Sequence, residues 1–499
     1  MLRGFWVTAF LGLTACTVGP EYVRPAAPVP ASYKWEKGWR EARPADALDR
    51  GAWWSVFNDP ALDALMRQVE ILNQNMAAAE AAFRNAAEAV AVARAGFFPT
   101  VDVNASATRA HAGVSRGSGV GLTVGSGRLG NTFRAAGSAS WVPDLWGSVR
   151  LNVTNAAATA QASASDLAAA RLAAQAQLAT AYMTIRGLDE LRRLLDASVK
   201  AYTESLRITQ NQYNAGIVSA ADVAQARTTV ESTRARAIAT GIQRGQLENA
   251  IAALIGQPPS EVSIAPAPGL PVLPEIPAGL PSSLLERRPD IAAAERRMAA
   301  ANAAIGIAAT AFYPDIQLSA EYGTGAAELA RLVSASTLLW SFGATLTQTV
   351  FDAGARQAQL EQTVATFDRS VALYRQTVLD GLREVEDQLV ALRILAEQEA
   401  ALEAAVTASR EAERIISNQY LAGIVPYTSV VVAQAAALNN AQAELDVKQS
   451  RLVAAVALIE ALGGSWDAAQ LPSRERINEL APLNFNPLPP PVAWPQPKL

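Results

Sequence analysis

Four segments of the chain alternate apolar residues with small polar ones. Val101, Val103, Ala105 and Ala107 interleave with Asp102, Asn104, Ser106 and Thr108. Phe133, Ala135, Ala139 and Trp141 interleave with Arg134, Ser138 and Ser140. Ile316, Leu318, Ala320 and Tyr322 interleave with Asp315, Gln317, Ser319 and Glu321, and Leu338, Trp340, Phe342, Ala344 and Leu346 with Ser341, Gly343, Thr345 and Thr347. A period of two predicts strands. One apolar face and one small, polar face over about ten residues suits outer-membrane strands with lipid outside and water inside. A half-buried sheet of a soluble protein would carry the same alternation.

The rest of the pattern is helical. A helix is expected over about residues 60–94, with Asp59 as N-cap and Pro60 in the first turn, and its counterpart over about 290–309. Ser283 and Glu286 have capping-box spacing just before Pro289. Two very long Ala-rich stretches, about 148–213 and 355–420, contain no proline. Some 65 residues of helix extend roughly 100 Å. Arg, Gln, Asp and Glu interrupt them throughout, so they do not read as membrane spans.

The order of elements repeats. Asn211-Gln212-Tyr213-Asn214-Ala215-Gly216-Ile217-Val218 returns as Asn418-Gln419-Tyr420-Leu421-Ala422-Gly423-Ile424-Val425, 207 residues later. The register holds as far as Gly256 and Gly463. A period this long means two copies of a domain-sized unit rather than a solenoid. The expected organisation is a signal peptide over 1–15, an extended anchor segment over 16–58, repeat 1 over 59–256, a Pro-rich linker over 257–281, repeat 2 over 282–463 and a Pro-rich tail over 464–499. Each repeat comprises a helix, two strands and a long helical hairpin closed by a glycine turn at Gly216 or Gly423.

Composition sharpens this picture. Half of the 499 residues are hydrophobic but only 6% are aromatic, which favours thin, closely packed layers of helices over a thick core. A net charge of −4 gives no support to a nucleic-acid partner. One histidine and one cysteine leave little for metal or acid–base chemistry. The cysteine ends Leu13-Thr14-Ala15-Cys16, after Arg3 and a short apolar stretch, which marks an export signal. That tetrapeptide looks like a bacterial lipobox, so a covalent lipid on Cys16 is expected. Thr17 in place of an aspartate points to the outer membrane.

Four strands cannot close a membrane barrel, and lipid does not tolerate open edges. Two chains would give eight strands with a filled interior. Three give twelve, enough for a lumen, and a ring of twelve principal helices. The expected fold is therefore mainly α with a membrane β part: a trimeric twelve-strand β-barrel continuous with a long α-helical barrel.

These residues resemble the outer-membrane efflux protein family, the TolC-like lipoprotein channels of tripartite export pumps. The likeness rests on Gly19-Pro20-Glu21-Tyr22-Val23-Arg24-Pro25, Trp53 to Leu62, Ser140 to Gly147, Leu285 to Ile291 and Ala461 to Trp466, in order and with the duplication. It implies a homotrimer in the outer membrane, a periplasmic α-barrel, and docking to an adaptor protein and an inner-membrane pump. It implies no catalytic residue, no metal and no cofactor besides the lipid.

The resemblance also frames a gate at the helical tips. The family often carries an acidic residue just before the Ala-Gln that follows the second tip turn; here Val432 precedes Ala433-Gln434. Asp222 is the acidic candidate in repeat 1, although its spacing from Ser219 equally suits a helix cap. Tyr213 and Tyr420, at the tip ends, either plug an aperture or pack between neighbours. Gly125-Ser126-Gly127-Arg128-Leu129-Gly130 matches a dinucleotide fingerprint only formally, since no βαβ unit surrounds it. His111 reads as a surface residue, and Asp144 and Asp352 as caps at strand-to-helix junctions. A non-conducting structural or adhesive lipoprotein bridging the periplasm is the alternative function.

Overall fold

A computed structural model describes residues 18–30, 32–35, 52–111, 129–274, 276 and 284–485. Cys16, Ser283 and Gly125 to Arg128 lie outside them. In repeat 1, α1 (Pro60–Leu72) and α2 (Gln74–Ala95) lead into β1 (Thr100–His111) and β2 (Leu129–Trp141). Then come α3 (Ser148–Asn214) and the return helix α4 (Ala220–Leu254). Repeat 2 follows with α5 (Pro289–Thr310), β3 (Asp315–Ala326), β4 (Leu338–Thr347), α6 (Ala355–Leu421) and α7 (Tyr427–Ala461). The long helices are 67 residues each and the return helices 35 each, all at the 207-residue offset.

The strands form one antiparallel sheet in the order β1-β2-β3-β4. Its register places Val103, Gly137, Tyr322 and Trp340 in one cross-strand row and Asp102, Ser138, Glu321 and Ser341 in the next. The alternation seen in sequence thus becomes two faces, one apolar and one polar. Below the sheet the helices lie side by side in the order α4-α3-α7-α6, with α2 and α5 packed against the long helices. The main core sits midway along the long helices. There Trp53, Leu62, Met66, Tyr182, Met183, Tyr374 and Ile459 are fully buried. No described helix is long and apolar enough to cross a membrane.

Both long helices begin through an aspartate set back from the first turn. Asp144 accepts hydrogen bonds from the backbone N–H groups of Val149 (2.9 Å) and Arg150 (3.0 Å). Asp352 accepts from Gly354 (3.1 Å) and Arg356 (3.2 Å), and the Arg356 side chain holds its carboxyl below the usual range. A carboxylate at a helix start satisfies orphan donors and favours the dipole. Asp59 caps α1 through the N–H groups of Ala61 and Leu62.

One expectation needs correction. The helix expected over 60–94 is broken at Asn73, which stands in an extended conformation (φ −67°, ψ 119°) and caps α2 by accepting from Met76 N at 3.0 Å. In the C-terminal segment, Arg474–Leu480 forms a further short helix, α8, whose Ile477 is buried against α2 and α3.

Candidate channel wall and helical tips

Both tips reverse through the same backbone device. At the first, Ile217 N donates to Gln212 O (2.9 Å) and Gly216 N to Tyr213 O (2.8 Å); at the second, Ile424 N donates to Gln419 O and Gly423 N to Tyr420 O, both at 2.9 Å. Gly216 and Gly423 have φ of 72° and 74°, the left-handed region that a Cβ disfavours.

Beyond the turn the tips diverge. In repeat 1, Ser219 and Asp222 form a reciprocal capping box: Ser219 N donates to Asp222 Oδ2 (3.0 Å), and Asp222 N donates to Ser219 Oγ (3.3 Å). In repeat 2, Pro426 occupies the cap position and supplies no side-chain bond. Tyr213 is 44% exposed, whereas Tyr420 is 7% exposed. The Tyr420 ring meets Tyr427 edge-on at 5.3 Å, and its hydroxyl lies 3.3 Å from Thr209 Oγ1. Burial, with a smaller contribution from the Asp222 charge, raises the pKa of Tyr420 above its ordinary value. Tyr420, Tyr427, Val430 and Ala226 thus join the two hairpins of one chain. Val432 stands 69% exposed, and Leu421 and Ile424 at the turn are exposed as well. The structure brings Asp222 near the Tyr420–Tyr427 pair but leaves Tyr213 and Val432 on the surface.

At the end away from the tips, each return helix ends on a polar side chain. Asn73 Nδ2 donates to Leu254 O (2.7 Å) and Arg288 Nη1 to Ala461 O (3.0 Å); the two carbonyls are related by the 207-residue offset. Arg288 also binds both oxygens of Asp290 (3.0 and 2.7 Å) and Glu384 at 2.7 Å. Burial opposes its charge, but these hydrogen bonds hold its pKa above the ordinary value. A pocket of about 360 Å³ borders it, lined in part by Gln388 and Glu460. Glu460 is pushed up by burial and by the Glu384 charge, with Arg288 partly opposing. Sequence reading missed this joint. The 207-residue register already pairs Leu254 with Ala461; the side chains that bind their carbonyls come from far upstream and carry no such signal.

On the sheet, the polar face carries an ion pair, Arg134 with Glu321, which alternation alone did not single out.

A thin layer of long helices, a sheet with an apolar and a polar face, and two glycine-turned tips suit a subunit of a membrane channel. Comparison gives the family. The model of the outer membrane efflux protein family matches residues 65–257 and 280–464, and the chain belongs to that family. It is 32% identical over 463 residues to the antibiotic efflux pump outer membrane protein ArpC of Pseudomonas putida, covering 92% of this chain and 94% of that one. It is 32% identical over 461 residues to the outer membrane protein OprJ of Pseudomonas aeruginosa, with the same coverage of 92% and 94%. The solved outer-membrane channel OprN aligns with a TM-score of 0.83 at 28% identity, covering 90% of this chain and 99% of that one. The chain is an outer-membrane efflux channel component, of a family of transport proteins rather than enzymes.

Proposed function

We propose that three copies of this chain close into a twelve-strand barrel and a twelve-helix periplasmic tube. The tube receives small molecules from a periplasmic adaptor and an inner-membrane pump and releases them outside. The observation that carries the assembly is its unfinished edges. β1 and β4 each have one partner, and α4 and α6 end the helical row. An open edge is untenable in lipid, and joining β4 of one copy to β1 of the next is a head-to-tail contact that generates a ring.

The dimensions support a membrane span. On β3 the apolar face runs from Ile316 to Ala326, level with Phe133 on β2. Ten steps of about 3.4 Å, tilted roughly 40°, rise about 26 Å. That matches an outward apolar band of about 25 Å. Cys16 carries the lipid anchor in this scheme. The name of ArpC supports antibiotics as a substrate class.

Native mass measurement in detergent tests the assembly. A trimer three times the protomer mass, with an acylated Cys16 at the mature N-terminus, is expected. A stable monomer that conducts in a planar bilayer would overturn the closure. A trimer that never conducts, even with its tips destabilised, would favour the structural lipoprotein.

A further inference from the structure

The polar face of the sheet is made largely of serine, threonine and glycine, and its ionic groups are few. Asp102, Ser138, Glu321 and Ser341 lie in a single cross-strand row. Arg134 stands opposite Gly325, four residues along β3 from Glu321, yet its guanidinium pairs with that carboxylate. Four residues of strand span about 13 Å. Such a reach requires both side chains to lie along the wall instead of pointing across the lumen.

The sequence clears that path. Glycines occupy positions 323 and 325, the two places on this face of β3 between the partners. A Cβ at Gly323 would meet Ala135 O and the Ala136 Cβ, each at 2.5 Å, because β2 and β3 press together there. Asp102 has no ion-pair partner among the described residues.

We propose that Asp102 and the Arg134–Glu321 pair form a charged girdle in the barrel lumen that sets the channel's preference for cationic solutes. Arg134 holds Glu321 neutralised and Asp102 supplies the net charge. The inference rests on the trimeric barrel proposed above. In that barrel the girdle carries three uncompensated carboxylates. Twelve strands about 4.8 Å apart, tilted roughly 40°, give a wall radius of about 12 Å. This is comparable to the Debye length of about 10 Å at 0.1 M salt, so the ring's field reaches the axis. At 1 M salt the Debye length is about 3 Å and the field stays at the wall.

The test reads the local potential from the outer side, independently of the periplasmic tips. Ser341→Cys places a thiol directly opposite Glu321. Its rates of modification by a cationic and an anionic methanethiosulfonate reagent are compared in whole cells and in the purified trimer. Arg134→Gln, which exposes three more carboxylates, should raise the cation-to-anion rate ratio about threefold at low salt. Glu321→Gln and Asp102→Asn should each lower it by a similar factor, and all differences should collapse at 1 M salt. A reactive thiol whose ratio ignores all three substitutions overturns the girdle while leaving the barrel standing. A thiol that water-soluble reagents never reach, in trimers shown intact, overturns the lumen placement itself.

Discussion

In the first repeat the return helix α4 ends against Asn73; in the second, α7 ends against Arg288. Both side chains donate to the last helical carbonyl, Leu254 O and Ala461 O, and both stand just before the helix that leads to the strands. Asn73 does this as a neutral group that also caps α2. Arg288 does it as a buried cation, which obliges the surroundings to provide Asp290 and Glu384. The duplication therefore preserved the geometry of the joint and changed its electrostatics. A neutral amide needs only hydrogen-bond partners, whereas a buried charge needs counter-charges that become liabilities when it is removed.

The largest difference between the repeats should appear on truncating these two side chains. Arg288→Ala leaves two carboxylates together near Glu460 and should cost about 3 kcal/mol. That lies at the low end for breaking a buried ion pair, because Asp290 and Glu384 keep partial contact with water. Asn73→Ala loses one cap and one hydrogen bond, about 1–2 kcal/mol. Urea unfolding of the purified protein in detergent measures both. Equal costs would mean that the ion network contributes nothing beyond the shared carbonyl bond.

The tips offer the second contrast. Tyr420→Ala removes a buried ring from the seam between hairpins and should destabilise the tip by about 3 kcal/mol. Tyr213→Ala, at an exposed position, should change stability by about 0.5 kcal/mol or less. In planar bilayers Tyr420→Ala should raise resting conductance well above that of Tyr213→Ala. The reverse ranking would place the aperture at Tyr213.

How much of this was legible in the sequence follows from the reach of each signal. Period-two alternation and the 207-residue repeat are carried by many residues, so β1 to β4 and both hairpins emerged with bounds shifted by only a few positions. Asp59 was legible because a cap acts within its own turn. Asn73 was not: the apolar pattern on either side of it is continuous, and its break is fixed by Leu254, 181 residues away. The Arg134–Glu321 pair was hidden because its partners lie 187 residues apart and are not opposite one another in the register. Tyr213 and Tyr420 occupy equivalent sequence positions and read identically. Their different burial comes from Tyr427, where repeat 1 has Ala220, and from the neighbouring hairpin.

The smallest expected effect lies in the pH dependence of the charged joint, which the neutral joint lacks because Ala253 stands where repeat 2 has Glu460. Burial and the Glu384 charge raise the pKa of Glu460 in the folded protein, and Arg288 offsets only part of this. A raised carboxyl pKa means that the folded state binds its proton more tightly than the unfolded chain does. The corresponding stability is fully present below the unfolded pKa and is lost as pH rises through the folded value. Glu460→Gln should therefore raise the unfolding midpoint at pH 7, where the wild-type carboxylate is charged against Glu384. The gain should shrink towards about pH 4, where glutamate is substantially protonated in either state. Ala253→Gln, the matching change in repeat 1, should show no such pH dependence. If Glu460→Gln instead lowers the midpoint at pH 7, the carboxylate is a net partner of Arg288, and the joint holds three counter-charges rather than two.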